Sequence, residues 1–163
     1  MTDTEERTRL VVATNQLFDE YEELIADLAP EEWTVQSLCP AWTVRQCIAH
    51  TVAVEDVLTG WEPSTENPPP FEKMNELVEE STSMSEVEFA ARVSAILEAR
   101  RDELKRLGAA DLERPSITPV GVQTYGRFLA IRVFDLWVHI RDCTIPLGRE
   151  TNDGGDPAEL AVD

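Results

Sequence analysis

The stretch Arg132-Val133-Phe134-Asp135-Leu136-Trp137-Val138-His139-Ile140-Arg141-Asp142 decides how this chain folds. Its polar residues Arg132, Asp135, His139 and Asp142 recur at steps of three and four, the repeat of one helix face. At about 100° per residue they share one narrow sector. Phe128, Leu129, Ile131, Val133, Phe134, Leu136, Trp137, Val138 and Ile140 fill the remainder, and Arg141 lies on the far side. The pattern predicts a helix from about Val122 to Asp142, ending before Pro146 and Gly148. The wheel leaves two readings of the polar sector. It is either the wet face of an amphipathic helix or the lining of an interior pocket.

Working outward, the same periodicity predicts three more long helices. The first runs from Thr4 to Leu28, with Leu10, Thr14, Leu17, Phe18, Tyr21, Leu24, Ile25 and Leu28 on its buried face. The second opens at Thr43, an N-cap completed by Gln46 as a capping box, and runs to about Trp61. Val44, Cys47, Ile48, Val54 and Leu58 are its expected core positions. The third spans Ser85 to Leu107, with Val87, Ala91, Ile96, Leu97 and Leu104 expected inside, and Gly108 stops it. Between them lie a proline-rich loop over residues 62–71, a short helix over 72–80, and a second loop from Arg114 to Val120. Four long helices joined by unequal connections indicate a bundle, the architecture that builds metal sites from facing helices. Residues 1–150 are expected to form it. Residues 151–163 read as a C-terminal tail or the start of a second domain, because Pro157 to Val162 resembles the opening of another helix.

The 163 residues suit one domain. A net charge of -18 is wrong for phosphate backbones or anionic lipid surfaces, so neither nucleic acid nor membrane is an expected partner. Most of that acid reads as a solvated surface. Of the basic residues 12 are Arg and 2 are Lys, which fits a GC-rich genome. No apolar run reaches the length of a membrane helix, and Met1 to Arg9 is too polar for a signal peptide. Three cysteines without framework spacing fit a reducing cytoplasm.

The only two histidines are His50 and His139. Two imidazoles with Asp135 make the donor set of an open, catalytic divalent-metal site. Helix spacing also permits a rival: Cys47, His50, His139 and Cys143 as a closed structural zinc centre. The matching bland reading makes His50 a hydrogen-bonded core residue. Arg132 and Asp142 share the sector and are expected to support the site from outside or hold an anionic group; a surface ion pair is the alternative. No glycine-rich phosphate loop and no nucleophile-elbow motif occurs.

Two segments carry a resemblance. One is Ser37-Leu38-Cys39-Pro40-Ala41-Trp42-Thr43-Val44-Arg45-Gln46-Cys47-Ile48-Ala49-His50; the other is Thr118-Pro119-Val120-Gly121 followed by Arg132 to His139 and Asp142. Together they resemble the N-terminal domain of mycothiol-dependent maleylpyruvate isomerases, within the DinB-like superfamily. The resemblance implies an all-α, DinB-like four-helix bundle with a metal site between the second and fourth long helices. It carries the ligands onto His50, Asp135 and His139, with zinc as the expected metal and mycothiol as co-substrate. The implied function is a divalent-metal-dependent, thiol-using enzyme, an S-transferase or a maleylpyruvate-isomerase-like enzyme. Its partners would be a small thiol and an electrophilic substrate. A non-catalytic metal and small-ligand binding or stress-response module is the alternative. The chain departs from the pattern at Asp135, where the isomerase type can carry Glu, and at Ile140, where relatives often carry Glu. The isomerases also carry a second domain that helps complete their site. On that ground transferase chemistry is expected more readily than isomerisation from this chain.

Overall fold

The computed structural model describes residues 2–162, so Met1 and Asp163, the outer ends of the two expected units, lie outside it. In chain order the elements are α1 (Asp3–Asp27), α2 (Val44–Leu58), α3 (Met74–Ser81), α4 (Glu86–Arg106), α5 (Ala109–Leu112), β1 (Pro115–Thr118), β2 (Gly121–Thr124), α6 (Tyr125–Thr144) and α7 (Gly155–Val162). The long helices α1, α2, α4 and α6 are the four that the apolar periodicity predicts. α1 packs on α4 and α6, and α2 packs on α4 and α6, which makes the bundle. No helix among the described residues is long and apolar enough to cross a membrane.

Helix starts follow from side-chain caps. Thr43 accepts from the backbone of Gln46, and Gln46 Oε1 accepts from the Thr43 N–H at 3.0 Å. Two N–H groups that have no partner inside the helix are thereby satisfied. Ser85 and Glu88 repeat the device at α4. Thr124 caps α6 by accepting from Arg127 N at 3.2 Å. That helix therefore starts three residues later than the wheel predicts. Val122, Gln123 and Thr124 are instead drawn into an antiparallel hairpin with Pro115 to Ile117. Gly121 sits at φ 102°, a backbone region that favours glycine, where it closes the hairpin turn. The expected loop from Arg114 is thus mostly strand, anchored by Ile117 N donating to Ser64 O at 2.8 Å.

The core on α1 and α2 lies where the spacing puts it: the eight named α1 positions and all five on α2 are buried. The Tyr21 hydroxyl, fully buried, donates to Leu136 O at 2.9 Å and joins α1 to α6. α4 differs. Val87 is 80% exposed and Ala91 is exposed, while Phe89, Val93, Ile96, Leu97, Arg100 and Leu104 face inward. A charged residue, Arg100, occupies one turn of the inward stripe, and that hides the stripe's phase from a hydrophobicity pattern. α7 packs on α1 and α6, tied down by Arg9 to Asp156 and Glu159 and by Arg141 to Asp153.

Candidate metal centre

α2 and α6 bring His50 and His139 together. Their rings meet edge to face, 5.7 Å between centroids at 87°. Trp42, held by the loop before α2, stacks on the other side of His50 at 4.0 Å and 24°. That loop is pinned by Leu38 N donating to Asp142 O at 2.9 Å and by Ser37 Oγ donating to Trp42 O at 2.7 Å. His139 Nε2 lies 3.6 Å from Asp135 Oδ1. Its Nδ1 lies 2.8 Å from Asp142 Oδ2. Only 17% of the His139 side chain and 35% of Asp135 reach solvent, and only Arg127 and Phe134 of α6 are exposed. The polar sector is therefore not a fully wet face: Arg132 is buried, and Asp135, His139 and Asp142 are partly covered.

Arg132 is neither a surface ion pair nor free to hold an anion. It is buried, and its Nε and Nη2 donate to Glu55 Oε1 at 3.0 and 2.8 Å while Nη1 pairs with Asp135 Oδ2. The other oxygen of Glu55 accepts from Arg100 Nε at 3.1 Å. Arg100 goes on to the Tyr125 hydroxyl at 3.1 Å and Glu103 Oε2 at 3.0 Å. A buried chain of charges therefore runs from α4 through α2 to Asp135 on α6. Sequence reasoning missed Glu55 and Arg100. The signal available was a charge in phase with the apolar face of each helix.

Burial, then the proximity of His139, holds His50 below its ordinary pKa, which favours the neutral imidazole. His139 is pushed up to about 9, first by its hydrogen bond with Cys47, then, against burial, by the carboxylates of Asp135 and Asp142. Cys39 is pushed up to about 12 by burial and its hydrogen bond to Asp142. Cys47 is raised by its hydrogen bond with Cys143 and by burial. Both thiols hold their protons near neutrality.

Two of the three expected donors, His139 and Asp135, are spaced for a divalent cation. Two nitrogen or oxygen ligands at bond lengths of 2.0–2.1 Å around a tetrahedral ion stand about 3.3 Å apart. The 3.6 Å between His139 Nε2 and Asp135 Oδ1 needs little adjustment to that spacing. The buried His50 Nδ1 has no hydrogen-bond partner in the protein. The Asp142 contact to His139 Nδ1 matches the carboxylate that commonly fixes the tautomer of a ligating histidine, leaving the other nitrogen to face a metal. His50, Asp135 and His139 do not make a group whose donor atoms all lie within 4.8 Å of one another. Cys39, Cys47, His139 and Asp142 place their donor atoms within 4.8 Å of one another. The rival Cys47, His50, His139 and Cys143 set is not assembled: Cys143 is buried with its thiol aimed at Val44 O, and Cys39 and Asp142 take the places of Cys143 and His50. Cys39 was not legible as a site residue, because it precedes α2 and no helix spacing relates it to His139. A cleft of about 610 Å³ lies elsewhere, between α1 and the end of α6, bordered by Glu20, Asp27, Arg141 and Arg149. Arg141 and Arg149 there are committed to Asp153, Asp27 and Glu32.

The fold and this arrangement define a class, a helical bundle whose facing helices converge histidine and carboxylate donors. Residues 14–143 match the model of the mycothiol maleylpyruvate isomerase N-terminal domain, and the chain belongs to that family. Among solved structures, a mycothiol-dependent maleylpyruvate isomerase superposes with a TM-score of 0.73 at 17% identity, covering 99% of this chain and 69% of the other. A histidine-to-alanine mutant of such an isomerase superposes at 0.71 and 16% identity with the same coverage. At these identities the likeness establishes a shared fold. No curated protein sequence matches the chain.

Proposed function

We propose that this chain is a metal-dependent, mycothiol-using enzyme of the isomerase type. His50, Asp135 and His139 would hold one divalent cation, zinc by the character of the donors. Bound there, such a cation lowers the pKa of a coordinated thiol and keeps it as thiolate. The observation that carries the reading is the approach of His139 Nε2 to Asp135 Oδ1 beside the orphaned imidazole of His50. The remaining residues act as supports. Trp42 stacks on the His50 ring, Asp142 would hold the proton on His139 Nδ1 and leave Nε2 to the metal, and Arg132 pairs with the carboxylate of Asp135.

The thiolate sulfur would attack an electrophilic carbon of the substrate. If the thiol leaves after rotation about the carbon–carbon bond, the outcome is isomerisation; if it stays, the outcome is transfer. Arg132, engaged by Glu55 and Asp135, is not available for a substrate carboxylate, so this domain's own residues favour the thiol-attack step over gripping a dicarboxylate.

The test is metal analysis followed by incubation of zinc-loaded protein with mycothiol and either a bimane electrophile or maleylpyruvate. One zinc per chain bound through nitrogen and oxygen alone, and thiol-dependent turnover of either substrate, are expected, with both lost in His50→Ala and His139→Ala. An unchanged zinc shell of nitrogen and oxygen in His50→Ala, read by metal-edge X-ray absorption, overturns the ligand assignment. Zinc binding without turnover of either compound supports a binding module instead.

A further inference from the structure

The two nitrogens of His139 face two different donor sets. Nε2 faces Asp135, whereas Nδ1 lies 3.6 Å from Cys39 Sγ and 2.8 Å from Asp142 Oδ2, with Cys47 closing the group from α2. We propose that Cys39, Cys47, His139 and Asp142 form a second metal site, selective for thiophilic cations, on the opposite edge of the imidazole that serves the first. Two sulfurs, one nitrogen and one carboxylate oxygen make a four-coordinate, closed set, and thiolates select soft or borderline ions such as zinc, cadmium and copper(I).

The spacing is close to what such an ion requires. With metal–sulfur bonds of about 2.3 Å and metal–nitrogen bonds of about 2.0–2.1 Å, a tetrahedral sulfur–nitrogen edge is about 3.6 Å. Cys39 Sγ and His139 Nδ1 already stand at that separation. Cys39 Sγ to Asp142 Oδ2 is 3.2 Å, against an edge of about 3.5 Å. The His139–Asp142 hydrogen bond must open from 2.8 Å to about 3.3 Å. Its proton, and those of both thiols, pass to solvent as the metal–ligand bonds form. Access comes from the Cys39 side, since Cys39 is half-buried and Cys47 fully buried. The backbone bond from Leu38 N to Asp142 O holds the Cys39 loop against α6, so the set is assembled before any ion arrives.

The experiment titrates Cd²⁺ into reduced, metal-free full-length protein and follows thiolate-to-cadmium charge-transfer absorbance in the ultraviolet. The wild type is expected to develop the band and saturate it with one cadmium bound through sulfur. Cys39→Ser should lose about half the band and weaken binding more than about tenfold; it lies near the surface, so its folding is not at stake as it is for the buried Cys47→Ser. Cys143→Ala and His50→Ala should keep the band, because neither residue belongs to this set. Absence of the band in the wild type, an undiminished band in Cys39→Ser, or its disappearance in His50→Ala each overturns the proposal. Failure of the first site is read separately, as the absence of zinc bound through nitrogen and oxygen alone in Cys39→Ser.

Discussion

Replacing Glu55 by Gln should destabilise the protein far more than a single change inside one helix suggests. Glu55 is 2% exposed, and each of its oxygens serves a different buried guanidinium, Oε1 that of Arg132 and Oε2 that of Arg100. Glutamine keeps the volume, so no cavity confounds the result, but it removes the one negative charge that both arginines share. Removing one member of a buried ion pair typically costs about 3–5 kcal/mol, because the partner charge stays desolvated without compensation. Arg132 keeps Asp135 and Arg100 keeps Glu103, which places the expected loss near about 3 kcal/mol. For a domain of this size that corresponds to a fall in Tm of about 6–12 °C. The assay is urea and thermal unfolding of metal-free protein followed by circular dichroism. A sharper comparison replaces Glu55, Arg100 and Arg132 together by methionine. Well-packed apolar residues in place of a buried ionic triad are often neutral or stabilising, so much of the stability should return. Zinc affinity should not return, because Asp135 has lost the arginine that orients it. An unchanged unfolding midpoint in Glu55→Gln, or full zinc affinity in the triple variant, would refute the reasoning.

Three further outcomes are expected. Asp142→Asn should weaken zinc binding about 10–100-fold in a chelator competition, since it removes the carboxylate that holds His139 Nδ1. In metal-free protein, thermal stability should fall as pH rises from about 6.5 to about 9: the folded pKa of His139 is raised, so its contribution is complete below the unfolded value and disappears as pH passes the folded one. Zinc should reverse that trend, because the cation competes with the proton for the same ring. On α4, Val87→Asp should change stability by less than about 0.5 kcal/mol, whereas Val93→Asp, which buries an unpaired carboxylate, should prevent folding or cost several kcal/mol in denaturant unfolding.

The sequence by itself determined the four long helices, the capping box at Thr43 and the buried faces of α1 and α2. These depend on interactions within a few residues, namely side chains at three- and four-residue spacing and caps that reach their own helix. It also placed Arg132, Asp135, His139 and Asp142 on one sector, because that follows from the helical repeat alone. Whether that sector met water or another helix was a matter for the tertiary structure. So was the start of α6, where pairing with β1 withdrew Val122 to Thr124 from the helix. The phase of α4 was obscured because Arg100 takes a core position, a choice that makes sense only once Glu55 on another helix supplies its charge. Cys39 joined His139 through a loop whose hydrogen bond reaches 104 residues along the chain, from Leu38 to Asp142. Buried ion pairs and sites that draw on separate helices are decided by which surfaces meet in three dimensions, and no local periodicity encodes that meeting.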